Sequence, residues 1–244
     1  MFFQKLNNMN YYYITGTSRG LGKAMAEMLL QDEPNVVFGI SRSQTIKHPN
    51  YHHFQIDLNE NLAGFRFPDH PDAKTIVLIN NSGVLGPVKP TGKVDHQLLK
   101  HTLRINLTAP LILIDKFIGA YQETQCKKII INISSGAARY PFPSWISYCS
   151  SKAGLDMTTK VIETEQKDKT HKIFAFAVAP GIMDTEMQTE IRAANPTDFP
   201  MYNTFKGYKE NNQLWTPKMS AEKILSICHE PESYENVLLD VRKL

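Results

Sequence analysis

Tyr148 and Lys152 stand four residues apart in Tyr148-x-x-x-Lys152, so on a helix they share a face and can serve one site. A tyrosine hydroxyl titrates near ~10 in model peptides, too high to exchange protons readily at neutral pH. A lysine cation beside it favours the phenolate and draws that value toward the working pH. The pair therefore reads as proton-transfer apparatus. Upstream, Ser134 and Ser135 end an apolar run, where a hydroxyl can reach the same site. Asn106 lies in an otherwise apolar helical stretch four residues before Pro110. Proline has no N–H, so the Asn106 carbonyl loses its helical partner and can hold a water that relays protons past Lys152 to Tyr148. A kinked helix in which Asn106 caps the irregularity would carry the same residues.

A second constellation lies near the N-terminus, where Tyr11-Tyr12-Tyr13-Ile14 runs into Thr15-Gly16-Thr17-Ser18-Arg19-Gly20-Leu21-Gly22. Glycines between a strand and a helix permit a tight turn and close approach of a pyrophosphate to the free N–H groups of the helix start. The spacing Gly16-x-x-x-Gly20-x-Gly22 differs from the commoner dinucleotide fingerprint, so that motif does not apply unchanged. The second strand ends in Ser41-Arg42 with no nearby carboxylate. A carboxylate there would bind a ribose 2′-hydroxyl, whereas arginine suits a 2′-phosphate. Arg19 and Arg42 together could clamp such a phosphate, which favours NADP(H); Arg42 as a solvated loop cation is the plainer alternative. Asp57, ending the third strand, could accept from an adenine amino group or cap a helix. Asn80-Asn81-Ser82-Gly83 ends the fourth strand at the same sheet edge.

The elements that must position these residues are legible as alternating runs. Candidate strands cover Tyr11–Thr15, Val36–Ser41, Tyr51–Asp57, Thr75–Asn80, Lys128–Ser134, Lys172–Val178 and Val237–Val241. Helical patterns cover Leu21–Leu30, Asp95–Tyr121, Ser147–Lys167 and Ala221–Cys228. Strands alternating with helices predict parallel β-α-β units in an α/β domain, and short apolar strands fit a sheet covered on both faces. The 244 residues suffice for one core, and no linker or repeat divides residues 11–244. Residues 1–10 read as an N-terminal extension, with Met1 or Met9 as the start. Asn59–Asp72 is rich in Pro, Asn and Asp and too short for a long crossover helix. Residues 183–216 carry Met187, Ile191, Phe199, Met201, Tyr202, Phe205 and Trp215 among polar residues; they read as a lid, or as a surface excursion packing its own aromatics.

Composition excludes several classes. A net charge of +3 without a basic block argues against nucleic acid as a partner. No apolar run approaches the ~20 residues of a membrane span, and the first residues have no signal-peptide core. Cys126, Cys149 and Cys228 are odd in number and irregularly spaced, which suits reduced thiols in the cytoplasm and no metal cluster.

Thr15-Gly16-x-x-x-Gly20-x-Gly22, Asn80-Asn81-Ser82-Gly83, Asn106, Ser135, Tyr148-x-x-x-Lys152 and Pro180-Gly181, in this order, resemble the short-chain dehydrogenase/reductase family over nearly the whole chain. Ser82 stands where the family pattern usually has alanine. The resemblance implies a Rossmann-type, doubly wound fold with a seven-stranded parallel sheet in a single domain. It implies a catalytic tetrad of Asn106, Ser135, Tyr148 and Lys152, with Ser135 chosen over Ser134 because it lies thirteen residues before the tyrosine. It also implies that Pro180, Gly181 and Thr185 line the nicotinamide. In this mechanism Ser135 bonds the substrate carbonyl, Tyr148 donates the proton, Lys152 lowers the tyrosine pKa and binds the nicotinamide ribose, and Asn106 holds the relay water. The helices of Asp95–Tyr121 and Ser147–Lys167 commonly pair in the family, which implies a homodimer or homotetramer.

Tyr140-Pro141-Phe142-Pro143-Ser144-Trp145 before Tyr148-Cys149, and Pro180 through Gln188, are similar to the subgroup of sepiapterin reductases and (S)-benzoin-forming benzil reductases. That resemblance implies an NADPH-dependent reductase of a small ketone or vicinal diketone. It places Asp240 where a pterin guanidino edge would be anchored, although Asp240 could equally close the last strand. Phe142 and Trp145 would form an aromatic wall for a flat substrate, or pack in the core, with Met187 nearby. A 3-oxoacyl carrier-protein reductase shares the tetrad, and an NADPH sensor without turnover shares the cofactor cleft; both stay as alternatives.

Overall fold

The computed structural model describes residues 9–60 and 62–244. Seven parallel strands form one sheet in the order β3-β2-β1-β4-β5-β6-β7. They are β1 (Met9–Thr15), β2 (Asn35–Ser41), β3 (Tyr51–Gln55), β4 (Ala73–Asn80), β5 (Lys127–Ile133), β6 (Ile173–Ala179) and β7 (Leu238–Asp240). Strand direction never reverses because each crossover returns the chain over a face of the sheet. The helices are α1 (Gly20–Leu29), α2 (His96–Leu103), α3 (Ala109–Tyr121), α4 (Ile146–Gln166), α5 (Glu186–Arg192), α6 (Tyr202–Glu210) and α7 (Pro217–Ser226). The expected extension lies outside the described residues up to position 8, and Met9 and Asn10 already belong to β1. Among the described residues no helix is long and apolar enough to cross a membrane.

Period-two alternation divides the core between the two faces. Tyr12, Ile14, Val77, Ile79, Ile129 and Ile131 pack with Met25 of α1 and Ile224 of α7. Tyr11, Tyr13, Ile76, Leu78 and Ile130 pack on the opposite face with Leu113 and Phe117 of α3 and Ile162 of α4. Strands buried on both sides have no polar face to spare, which is why their apolar runs are nearly continuous.

Two connections depart from regular helices. Between β3 and β4 no helix forms among the described residues; instead Leu58, Leu62, Phe65 and Phe67 are buried against the sheet. The Tyr121 hydroxyl donates to the Pro68 carbonyl at 2.6 Å, and Tyr13 Oη lies 2.6 Å from His70 Nε2. The second departure is the kink expected at Pro110. It is realised as a π turn, Arg104–Thr108, between α2 and α3. There the Ala109 N–H bonds the Arg104 carbonyl, five residues back, and the wider turn accommodates the proline ring that follows.

Chain order reverses between β1 and β4, so the crevice at their carboxyl ends is the place where an α/β sheet binds ligands.

Candidate active site

The crevice is built first from backbone. Thr15 Oγ1 accepts from the N–H groups of Asn81 and Ser82, both at 2.9 Å, and Asn81 Nδ2 donates to the Thr15 carbonyl at 2.8 Å. These bonds fix the end of β4 against the end of β1. Gly16 adopts a φ of +76°, and a Cβ at Gly22 would stand 2.3 Å from the Gly16 carbonyl oxygen. The turn can therefore close only with glycine at both positions. Arg19, the N-cap residue of α1, supplies no side-chain cap, which leaves the first N–H groups of the helix for a ligand.

A cavity of about 570 Å³ opens beside this turn. It is lined by Gly16, Ser18, Arg19, Gly20 and Leu21, by Ser41 and Arg42 after β2, and by Asp57. Asn81, Ser82 and Gly83, Tyr148 and Lys152, and Pro180, Thr185 and Met187 line it as well, so the cavity brings these sequence-based residues together. Gly22 and Gly181 do not line it; the first closes the turn, and the second, at φ +79°, packs beside Val241 and Trp215. Asp57 accepts from the Asn59 N–H at 2.9 Å, so it caps a turn while facing the cavity. A binding cleft of this size with a glycine turn, an uncapped helix start and two guanidinium groups fits a dinucleotide.

The chemistry-bearing side chains meet at the inner end. Helix α4 carries Tyr148 and Lys152 on one buried face, and Gly154 lets that helix sit against Leu107 of the π turn, where a Cβ would be 2.9 Å from Leu107 Cδ2. Ser135 faces the Tyr148 hydroxyl closely enough to lower its pKa, and its Oγ accepts from the Ala137 N–H at 3.1 Å. Ser134 lines the cavity whereas Ser135 and Asn106 stand just behind its wall, but the Ser134 hydroxyl donates to Asp156, which leaves Ser135 as the serine that faces Tyr148. Lys152 Nζ donates to the Ile133 carbonyl at 2.8 Å and lies 5.8 Å from the Tyr148 ring centroid. A methyl at Gly83 would be 3.5 Å from Lys152 Nζ and 3.6 Å from Asn106 Oδ1, so all three share one corner.

Electrostatics there differ from the expectation that Lys152 draws the phenol down. Burial pushes the Tyr148 hydroxyl up to about 12, opposed by the Ser135 side chain that faces it. Burial likewise lowers Lys152 to about 8, with the Asp156 carboxylate opposing. Desolvation outweighs the cation because the ammonium is turned to the Ile133 carbonyl rather than to the phenolic oxygen. The phenol is thereby kept protonated at neutral pH, the state a proton donor needs.

Asn106 is fully buried and plays a larger structural part than its carbonyl alone suggested. Its Nδ2 donates to the Val84 carbonyl at 2.8 Å and to Ser151 Oγ at 3.2 Å, and its Oδ1 accepts from the Val84 N–H at 2.9 Å. Ser151 in turn donates to the Tyr148 carbonyl at 2.8 Å.

Three substrate-side expectations need correction. Trp145 is buried, stacked on Phe142 at 5.0 Å and on Phe199 at 5.4 Å, so it is not open to a substrate ring. Neither Trp145 nor Phe142 lines the cavity; they belong to the buried cluster of Leu85, Tyr148, Ile191, Phe199 and Phe205. Asp240 does not line it either, because Arg242 binds both its carboxylate oxygens, at 2.9 and 2.6 Å. The arginine holds that carboxyl well below its usual range.

Residues 183–216 contain α5 and α6, which sequence patterning did not predict. The segment is closed at its base by the Trp215 N–H on the Ile182 carbonyl and the Asp184 N–H on the Trp215 carbonyl, both at 2.9 Å. Its Phe199 and Phe205 pack on Trp145. Sequence reasoning also missed Asp156, which Ser134 and Arg139 bond and which opposes the fall in the Lys152 pKa. Its position four residues after Lys152, on the same helix face, was the available signal. Glu186 and Glu190, which line the cavity from α5, were missed too.

Fold, glycine turn and the Ser135–Tyr148–Lys152 corner define one class of protein. The model of the short chain dehydrogenase family matches residues 10–196, and the chain belongs to that family of oxidoreductases. Within it, the chain is 37% identical over 227 residues to a benzil reductase ((S)-benzoin forming) of Bacillus subtilis, covering 90% of this chain and 93% of the relative. It is 24% identical to the sepiapterin reductase of Bos taurus, covering 88% and 87%. A short-chain dehydrogenase/reductase crystal structure from Saccharomyces cerevisiae superposes with a TM-score of 0.78 at 26% identity, covering 96% of each chain.

Proposed function

We propose that this protein is an NADPH-dependent carbonyl reductase that acts on a small ketone or vicinal diketone of the benzil type. The observation that carries the reading is a protonated, buried Tyr148, with Ser135 and Lys152 beside it, at the inner end of a dinucleotide-sized cleft. Likeness to a benzil reductase supports the substrate class. Arg19 and Arg42 on the cleft, with no carboxylate directly after β2, support a 2′-phosphate and hence NADPH over NADH.

A bound reduced nicotinamide supplies a hydride to the carbonyl carbon. Ser135 orients the carbonyl oxygen and Tyr148 delivers the proton to it as negative charge develops. Lys152, charged below about pH 8, stabilises that charge and binds the cofactor ribose, while Asn106 holds the relay path beside it. Thr185 and Pro180, which line the cavity, would border the nicotinamide, and residues 183–216 act as the lid. With Asp240 engaged by Arg242, a diketone suits the pocket better than a pterin. Leu98, Leu111, Met157 and Val161 are exposed apolar residues on α2, α3 and α4, and we assign them to a homodimer or homotetramer interface. Three free cysteines support a cytoplasmic protein.

The test is turnover of benzil, sepiapterin and an acetoacetyl thioester by the purified protein with NADPH and with NADH. Benzil with NADPH should be reduced fastest, and Tyr148→Phe should abolish the reaction while cofactor still binds. A protein that leaves benzil untouched, or a Tyr148→Phe variant with more than a few per cent of wild-type turnover, overturns the assignment.

A further inference from the structure

The cavity beside the glycine turn is spanned by an exposed ion pair. Arg19 Nη1 lies 2.7 Å from Glu186 Oε2, and the two side chains are 63% and 62% exposed. Arg19 sits in the glycine turn, and Glu186 opens α5 of the segment that covers the inner site. The pair therefore bridges the two sides of the cavity, and both residues line it. Glu190, one helical turn further along α5, lines the same cavity, as i and i+4 positions on one face must. Thr45 Oγ1 donates to the Ser18 carbonyl at 3.0 Å, which ties the loop after Arg42 to the glycine turn. Arg19 and Arg42 thus stand on two tied loops of one cavity, which Glu186 and Glu190 also line.

We propose that Glu186 is a determinant of cofactor affinity and specificity: it occupies Arg19 as an internal counter-ion, and a 2′-phosphate must displace it. This inference rests on the reading of the cleft as an NADP(H) site. An arginine already paired to a carboxylate offers less to an incoming phosphate, since part of the new attraction replaces an old one. The carboxylate acts only against a ligand that uses Arg19, so a nucleotide lacking the 2′-phosphate gains little from its removal. The consequence is a lowered affinity for NADP(H) and easier release of the oxidised cofactor. Because displacement also unties α5 from the glycine turn, arrival of the cofactor and freedom of the covering segment are coupled.

The experiment measures dissociation constants of the full-length protein and its Glu186→Gln variant for NADPH, NADH and 2′,5′-ADP at low and high salt. Glu186→Gln removes the charge and keeps the side-chain volume at an exposed position. It should tighten NADPH and 2′,5′-ADP by about two- to fivefold at low salt, leave NADH within error, and lose the gain at high salt. In an Arg19→Ala background, adding Glu186→Gln should change NADPH affinity no further. If the wild type prefers NADPH and Glu186→Gln changes nothing, or tightens NADPH and NADH equally, this inference fails while the cofactor reading stands. A wild type that prefers NADH overturns both.

Discussion

Replacing Asn106 by alanine separates a water-holding role from the structural one its contacts define. The side chain makes three hydrogen bonds, two to the main chain of Val84 and one to Ser151 Oγ. Truncation leaves the Val84 N–H and carbonyl without partners, and orphaning a buried polar group costs about 1–3 kcal/mol. Val84 is half-buried, so the low end of that range applies, about 1–1.5 kcal/mol for each group and about 2–3 kcal/mol for the pair. Loss of the Ser151 bond adds about 1 kcal/mol. The expected destabilisation is therefore about 3–4 kcal/mol, or roughly 6–15 °C in Tm for a chain of this size. Denaturant unfolding followed by tryptophan fluorescence measures it. Asn106→Asp keeps the acceptor toward the Val84 N–H but sets an oxygen against the Val84 carbonyl, so it should unfold at least as readily. Both variants should lose reductase activity, because the loop bearing Gly83 and the helix bearing Tyr148 meet at this side chain. An Asn106→Ala protein within about 1 kcal/mol of wild type would refute the clamp and leave only the water.

Arg42→Ala should weaken NADPH by about tenfold and NADH hardly at all, since only the 2′-phosphate loses a charge-assisted bond; equal weakening of both sinks the specificity argument. For carbonyl reduction, kcat/KM should hold steady below about pH 8 and fall above it as Lys152 loses its proton, because Tyr148 stays protonated until about 12. Lys152→Arg should move that limb upward, and a wild-type profile flat to about pH 10 would contradict it. In solution, light scattering at micromolar concentration should give the mass of a dimer or tetramer, with a monomer ruling out the interface assigned to Leu98, Leu111, Met157 and Val161.

The inner strands were legible because buried parallel strands are nearly continuous apolar runs, and β4 and β5 read as such from Thr75 and Lys128 onward. The glycine turn and the Tyr148–Lys152 spacing were legible because each demands particular residue types at fixed intervals. What the sequence withheld was environment. Whether burial or Lys152 dominates at the Tyr148 hydroxyl depends on where the ammonium points, and that is set by the Ile133 carbonyl, distant in sequence. Trp145 looked like a wall because nothing local reveals that Phe199, beyond a long segment, stacks on it. The helices α5 and α6 escaped because they are short and patterned against a local aromatic cluster rather than against the sheet. Pro110 announced an irregularity but not its kind, since a π turn and a kink begin from the same missing N–H.

The connection between β3 and β4, where no helix forms among the described residues, bears on the order in which the molecule assembles. A crossover helix can form early from local contacts, whereas Leu58, Leu62, Phe65 and Phe67 gain their burial only from distant partners. Tyr13 and His70 are 57 residues apart and Tyr121 and Pro68 are 53 apart, so these ties cannot close before β1 and α3 are in place. This stretch should consequently be a late addition to the folding chain and one of the first to open in the native protein. Amide hydrogen exchange should release residues 56–72 well before β1, β4 and β5, and the sheet edge formed by β3 should loosen with them.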